Sequence, residues 1–233
     1  MEFSISKEVF EHFKDLSIGV IIAESIENEK DSEELENLLS EMVGFVKDNF
    51  SPLNIKNHSM ISPWKSAYFD YEEKPHTTHS SVERLTKKIM EKGDIESKNK
   101  LRDLCNFISL KYMVPVECFD ISKAQKGISF TRAKGDEFFY DEKLKKAENP
   151  EKGELIYSDA LNVLARKLDY TESGKAAVSS KTKKAIILVE GLKPLTKAKV
   201  SKITEEISGL AESFCKAKIK SFVLDKKNSS AEF

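Results

Sequence analysis

Arg102, Asn106 and Ser109 recur at helical spacing within NKLRDLCNFISLKYMVPVECFD, residues 99–120, and Glu117 follows close behind. At about 3.6 residues per turn these three polar side chains form one stripe of a helix. Leu101, Leu104, Cys105, Ile108 and Tyr112 form an apolar stripe, and Phe107 and Leu110 lie on a third side. A helix apolar on two sides belongs in a core, and the polar stripe between them is expected to face a cavity. Val114-Pro115 stops the helix, because proline lacks an N–H and disfavours helix at the residue before it. Val116, Cys118 and Asp120 then alternate with Glu117 and Phe119, which predicts a short strand with Glu117 on the face of Phe119. Glu117 in a cavity would orient or deprotonate a water, or bind a cationic group. The plainer alternatives are a Glu117 paired with a lysine and an Asn106 amide bonded to loop backbone.

Other reactive types are less organised. Cys105, Cys118 and Cys215 form no Cys-x-x-Cys pair, and no histidine lies close in sequence to activate a thiol. We read all three as buried, reduced thiols of a cytoplasmic protein. His76 and His79 are too few to ligate zinc and are expected in a solvated loop. Gly174-Lys175 and Lys126-Gly127 lack P-loop spacing, so no nucleotide site is expected from them.

The elements that must hold Asn106 and Glu117 can be laid out in order. Residues 3–15 predict an amphipathic helix carrying Phe3, Val9, Phe10 and Phe13. The apolar run 16–23 predicts a strand buried on both faces. Asp31 or Ser32 caps a helix to about Asn49, with Leu35, Leu39, Val43, Phe45 and Val46 on its buried side. A short helix begins near Pro63, and 72–80 is a loop. Ser80 or Ser81 caps a helix to about Lys92, closed by Gly93. Beyond Asp120, residues 128–133 and 137–140 are expected to form a hairpin around Lys134-Gly135-Asp136. Charged residues 142–153 read as a loop, 154–158, 163–170 and 185–189 as strands, with a helix capped by Asp159 the alternative for 163–170, and 172–184 as a loop. Pro194 opens a long amphipathic helix to about Lys216, 219–224 is a last strand, and 225–233 a frayed tail. This order predicts an α+β fold in one domain over 1–233, a mixed or antiparallel central sheet with helices packed around it.

Composition narrows the function classes. The chain has 233 residues, 39% hydrophobic and 33% charged, enough for a sizeable core. No run reaches the roughly 18 apolar residues of a membrane span, and the acidic, amphipathic start is not expected to be a secretory signal. The formal net charge of −1 excludes a nucleic-acid binder by bulk charge. Charge is uneven, however: 27–48 carry eight acidic residues against two lysines, and 181–227 carry twelve lysines against five acidic residues. The lysine-rich part reads either as a solvated helix or as a face that meets a nucleic-acid backbone by releasing counterions.

The stretch 99–120 resembles the B3/B4 domain, the editing domain of the phenylalanyl-tRNA synthetase β subunit, and free-standing proteins built from it. Asp103 and Asn106 match the family's Asp-x-x-Asn run. Pro115, Glu117, Phe119 and Asp120 match its Pro-x-His-x-Phe-Asp, with glutamate in place of the histidine. Ser80–Leu85 resembles its Ser-x-x-x-Leu helix start, and Arg132–Glu137 its Arg-x-Ala-x-x-Gly-Glu element with one residue extra. Its later Thr-x-x-Ile-x-Leu-Glu element is poorly met: Thr182 is present, Leu188 stands at the glutamate position, and Glu190 lies two further on. The likeness covers about residues 15–190, with 191–224 a helix and strand packed on the domain.

The resemblance implies a free-standing aminoacyl-tRNA deacylase, working in trans on the ester at the 3′ end of a mischarged tRNA, without metal, nucleotide or other cofactor. In that reading Asn106 and Glu117 position ester and water, and Arg102 anchors a phosphate or carboxylate. Cys105, Ser109, Cys118, Gly135 and Glu137 contact substrate, and Lys181, Lys183 and Lys184 meet the tRNA. Glu117 as the binder of a cationic amino-acid side chain is a variant of it. Two other classes stand beside it: a non-catalytic module binding tRNA or a synthetase, and a small-molecule hydrolase or binder that kept only the fold.

Overall fold

The structure is a computed structural model that describes residues 1–233 except 31, 70–78, 123, 142–144, 167–170 and 175, and the side chains of 68, 69, 171 and 172. In chain order it begins β1 (Glu2–Ile5), α1 (Lys7–His12), β2 (Ser17–Glu24), α2 (Glu33–Asn49), α3 (Ser62–Phe69), α4 (Ser81–Lys92) and α5 (Lys100–Tyr112). It continues β3 (Val116–Asp120), β4 (Gly127–Arg132), β5 (Phe139–Asp141), β6 (Lys146–Glu148), β7 (Leu155–Ser158), β8 (Val163–Arg166) and β9 (Thr171–Glu172). It ends β10 (Lys184–Gly191), α6 (Lys197–Cys215), β11 (Lys218–Asp225) and β12 (Ser230–Glu232).

The fold is α+β, with its strands in two larger sheets and a small ribbon. Four antiparallel strands run in the order β11-β2-β10-β3, six in the order β12-β1-β4-β7-β8-β9, and β5 pairs with β6. Alternation along β10 explains the layers. Ala185, Ile187 and Val189 pack with α2, α5 and α6, whereas Ile186 and Leu188 face the six-stranded sheet with Phe119, Phe130 and Tyr157. Strand β2 is buried on both faces because it lies between these two cores.

Local signals set several boundaries. Ser32 and Ser80 accept the hydrogen bonds of Leu35 N and Glu83 N, so both cap their helices as expected. Phe45 on α2 is 45% exposed, and the buried side of that helix is Leu35, Leu39, Val43 and Val46. Gly19 lies where β2 comes closest to α6: a Cβ there would fall 1.9 Å from Thr204 Oγ1. Gly19→Ala is therefore expected to cost about 1–3 kcal/mol through overpacking. Chemical denaturation should show part of that cost recovered in the Gly19→Ala/Thr204→Ala double variant.

Three expectations are corrected. Residues 2–5 are a strand, not the first turn of a helix, because Phe3 and Ile5 bury the same face of a strand parallel to β4. The tail is not frayed throughout: Ser230–Glu232 pair antiparallel with β1 and cover its free edge. The hairpin after β4 does not form. Gly135, at φ 96°, turns the chain away, β4 pairs with β1 and β7, and β5 turns back onto β6 within the charged loop. The expected strand 163–170 is described as far as Arg166.

Candidate functional site

Helix α5 is pinned at both ends. The Asn99 side chain accepts from Arg102 N at 3.0 Å, and Asn28 Oδ1 accepts from Leu101 N at 2.8 Å. Buried Asp103 accepts from Ser97 Oγ and Lys98 N. At the far end Met113 takes a left-handed conformation, φ 54°, and Ser109 Oγ donates to Val114 O at 2.7 Å. Ser109 is thus spent on ending the helix. Arg102 and Asn106 are one turn apart and half-buried.

Strand β3 is the edge of the four-stranded sheet. Pro115 O and Ile121 N bond toward β10, so by alternation the Cys118 carbonyl points to the outer side, where Asp120 N donates to Ala176 O. Arg102 Nη2 donates to that carbonyl at 3.4 Å, which places the guanidinium on the strand's outer side. Val116 and Cys118 face α5, and Glu117 and Phe119 face the other sheet. Glu117 is 7% exposed. Arg102 thus reaches the outer side of β3 while Glu117 points from the face turned away from α5, so the strand lies between Glu117 and the polar stripe that was expected to share its cavity.

A second carboxylate shares that face. Glu117 is registered opposite Leu188, and Glu190 is two residues further along β10. Such diagonal neighbours lie about 7–8 Å apart. Glu190 is buried, and Tyr157 Oη donates to its Oε1 at 2.6 Å. The sequence showed Glu190 only as a displaced match, because the pairing of β10 with β3 is not readable from spacing.

The remaining expected residues fall elsewhere. Cys105 and Cys118 meet inside the helix–sheet core; the hydrogen bond between their thiols and burial push Cys105 well up, so it is no nucleophile at neutral pH. The Glu137 carboxylate accepts from Lys134 N and Gly135 N and closes its own turn. Lys184 pairs with Glu24 at 2.8 Å, Lys183 Nζ donates to Ile26 O, and Lys181 is exposed. At about 3.4 Å per residue, Lys184 lies about 14 Å along β10 from the partner of Glu117.

His76 lies outside the described residues. His79 is not solvated as expected: its Nδ1 lies 3.4 Å from fully buried Glu83, and its Nε2 3.0 Å from Lys87 Nζ. Lys65 and Lys87 each reach Glu83 at 3.0 Å. Burial lowers the pKa of both His79 and His58 from the usual 6.5, and for His79 it outweighs the pull of Glu83. Above about pH 6.5 both rings are neutral folded or unfolded. Below it the unfolded chain binds protons that the folded chain resists, so stability falls as pH drops. The melting temperature should decline from about pH 7.5 to 5.5, and less steeply in a His58→Gln/His79→Gln variant.

A family model, the B3/4 domain, matches residues 63–224, well over half the chain. The chain belongs to the B3/4 domain family. No curated protein matches it. Among solved structures it is similar to an N-terminal fragment of the phenylalanyl-tRNA synthetase β-subunit from Pyrococcus horikoshii, at 11% identity and a TM-score of 0.47. That superposition covers 96% of this chain and 54% of the other, so the chain spans about half the length of its neighbour. The B3/4 match takes in α4, α5 and β3, which carry Arg102, Asn106 and Glu117, and also β10, α6 and most of β11.

Proposed function

We propose that this B3/4 domain is an aminoacyl-tRNA deacylase acting in trans on tRNA charged elsewhere. What supports the reading is the B3/4 match over α5 and β3, together with a buried strand carboxylate, Glu117, next to the Cys118 carbonyl that Arg102 bonds. An aminoacyl ester is already activated, so its hydrolysis needs a positioned water and a donor for the developing oxyanion. Glu117 takes a proton from the water as the oxygen attacks the ester carbonyl. The Asn106 amide donates to the carbonyl oxygen. Collapse of the tetrahedral intermediate breaks the bond to the ribose oxygen, which leaves with a proton, and the free amino acid departs. Arg102 anchors a phosphate or carboxylate of the substrate. Lys181, Lys183 and Lys184, at the outer end of β10, meet the tRNA backbone by salt-sensitive contacts.

Glu190 sharpens the choice of amino acid. Two carboxylates on one wall favour a cationic side chain over an apolar one. The test is a panel of mischarged tRNAs, including lysyl and arginyl esters, with release of the amino acid followed over time. Release above the spontaneous rate for at least one tRNA is expected. Salt-sensitive binding without release from any of them would leave a tRNA-binding module instead.

A further inference from the structure

A hollow of about 510 Å3 lies where the end of α5, residues 59–60 and the start of α6 meet. We propose that it binds a phosphate monoester carried on a flat apolar body, of the size of a mononucleotide. This assignment does not rest on the deacylase reading, and none of its lining residues belongs to the Arg102, Asn106 and Glu117 group.

The chemistry of the lining carries it. The floor is apolar, with Met60, Leu195 and Ile203, and the Tyr112 ring forms part of the wall. The rim holds Lys111, Lys199 and Lys202, and among the described residues no carboxylate lines the hollow. Glu206 accepts from Lys111 at 2.7 Å and from the Tyr112 hydroxyl, so it offsets Lys111. Among the described residues no carboxylate pairs with exposed Lys199 or Lys202, unlike Lys193 and Lys197, which pair with Asp15 and Asp225. Two uncompensated cations beside an apolar floor match a dianion on an apolar body. The first turn of α6 carries no acidic residue, so its N-terminal dipole adds to the same field. The volume falls within the range of about 300–1,000 Å3 usual for small-molecule sites.

The shared chemistry is a nucleoside monophosphate, which is available free or at the 5′ end of an RNA. The experiment is calorimetric titration of the full chain with AMP, adenosine, inorganic phosphate, and a short ribonucleotide with and without a 5′ phosphate. AMP is expected to bind saturably and at least about tenfold more tightly than adenosine or phosphate alone, since charge and apolar contact both contribute. Lys199→Glu/Lys202→Glu should weaken AMP by about tenfold or more, and Lys218→Glu/Lys220→Glu, with the same change in net charge, by less than about twofold. AMP should also protect Lys199 and Lys202 of the unaltered chain from acetylation, a readout that needs no variant. Binding of the 5′-phosphorylated ribonucleotide as tight as that of AMP assigns the site to an RNA end, and weaker binding to the free nucleotide. Adenosine binding as well as AMP, equal loss in both lysine pairs, or no protection would overturn the proposal.

Discussion

Glu117→Gln is expected to slow release of the amino acid from the responsive tRNA by about 100-fold or more in kcat, the usual range for a lost general base. Glutamine keeps the shape of the side chain and stays neutral in a buried position, so the melting temperature should hold while the rate falls. Asn106→Ala should cost about 100-fold or more through the lost donor to the oxyanion. Asn106 is half-buried, so truncation leaves no sealed cavity. Arg102→Ala should act differently. A residue that anchors a part of the substrate remote from the bond being broken chiefly raises KM. Single-turnover rates at saturating tRNA separate the two effects. Unchanged release in both Glu117→Gln and Asn106→Ala would remove this group as the site, whatever the activity of the parent protein.

Much of the helical layer was legible because its signals are local. Ser32 and Ser80 cap α2 and α4, Val114-Pro115 ends α5, and the run 16–23 is continuous enough to require burial on both faces. What failed depended on partners distant in sequence. Residues 2–5 and 230–232 are short and weakly patterned, and each is a strand because the other, or β4, offers it an edge. The turn at Gly135 reads like a hairpin turn. The Glu137 carboxylate satisfies its amides instead, and this frees β5 to pair with β6.

The site divides along the same line. Asn106 and Glu117 could be singled out from their spacing and from the motif around them. Their relation to the rest depends on register. A strand's two faces alternate, so the direction of Glu117 follows from Phe119 beside it, but Glu190 joins it only because β10 pairs with β3 with Leu188 opposite Glu117. The lysines show the converse. Their density in sequence does not show their pairing: Lys183 and Lys184 have partners, whereas among the described residues no carboxylate pairs with Lys199 or Lys202 on another element.

Tyr157→Ala is expected to destabilise the fold by about 3–5 kcal/mol, the cost of removing a large ring from a packed core. The ring is fully buried between the two sheets, 4.5 Å from the Phe130 centroid, 5.6 Å from Phe119 and 6.4 Å from Phe3. These residues come from β7, β4, β3 and β1, so one truncation loosens contacts in both sheets at once. For a chain of this length the loss should appear as a fall in melting temperature of about 6–20 °C. Tyr157→Phe separates the ring from its hydroxyl. It keeps the stack and removes only the hydrogen bond to Glu190, worth about 1.5–3 kcal/mol when the acceptor is charged. If Glu190 helps to shape the wall that Glu117 occupies, Tyr157→Phe should also alter which aminoacyl ester is released fastest, at a temperature where the protein remains folded. A melting temperature within a degree of the parent in Tyr157→Ala would mean that the two sheets do not depend on this ring. A changed stability with unchanged ester preference in Tyr157→Phe would confine Glu190 to a structural role.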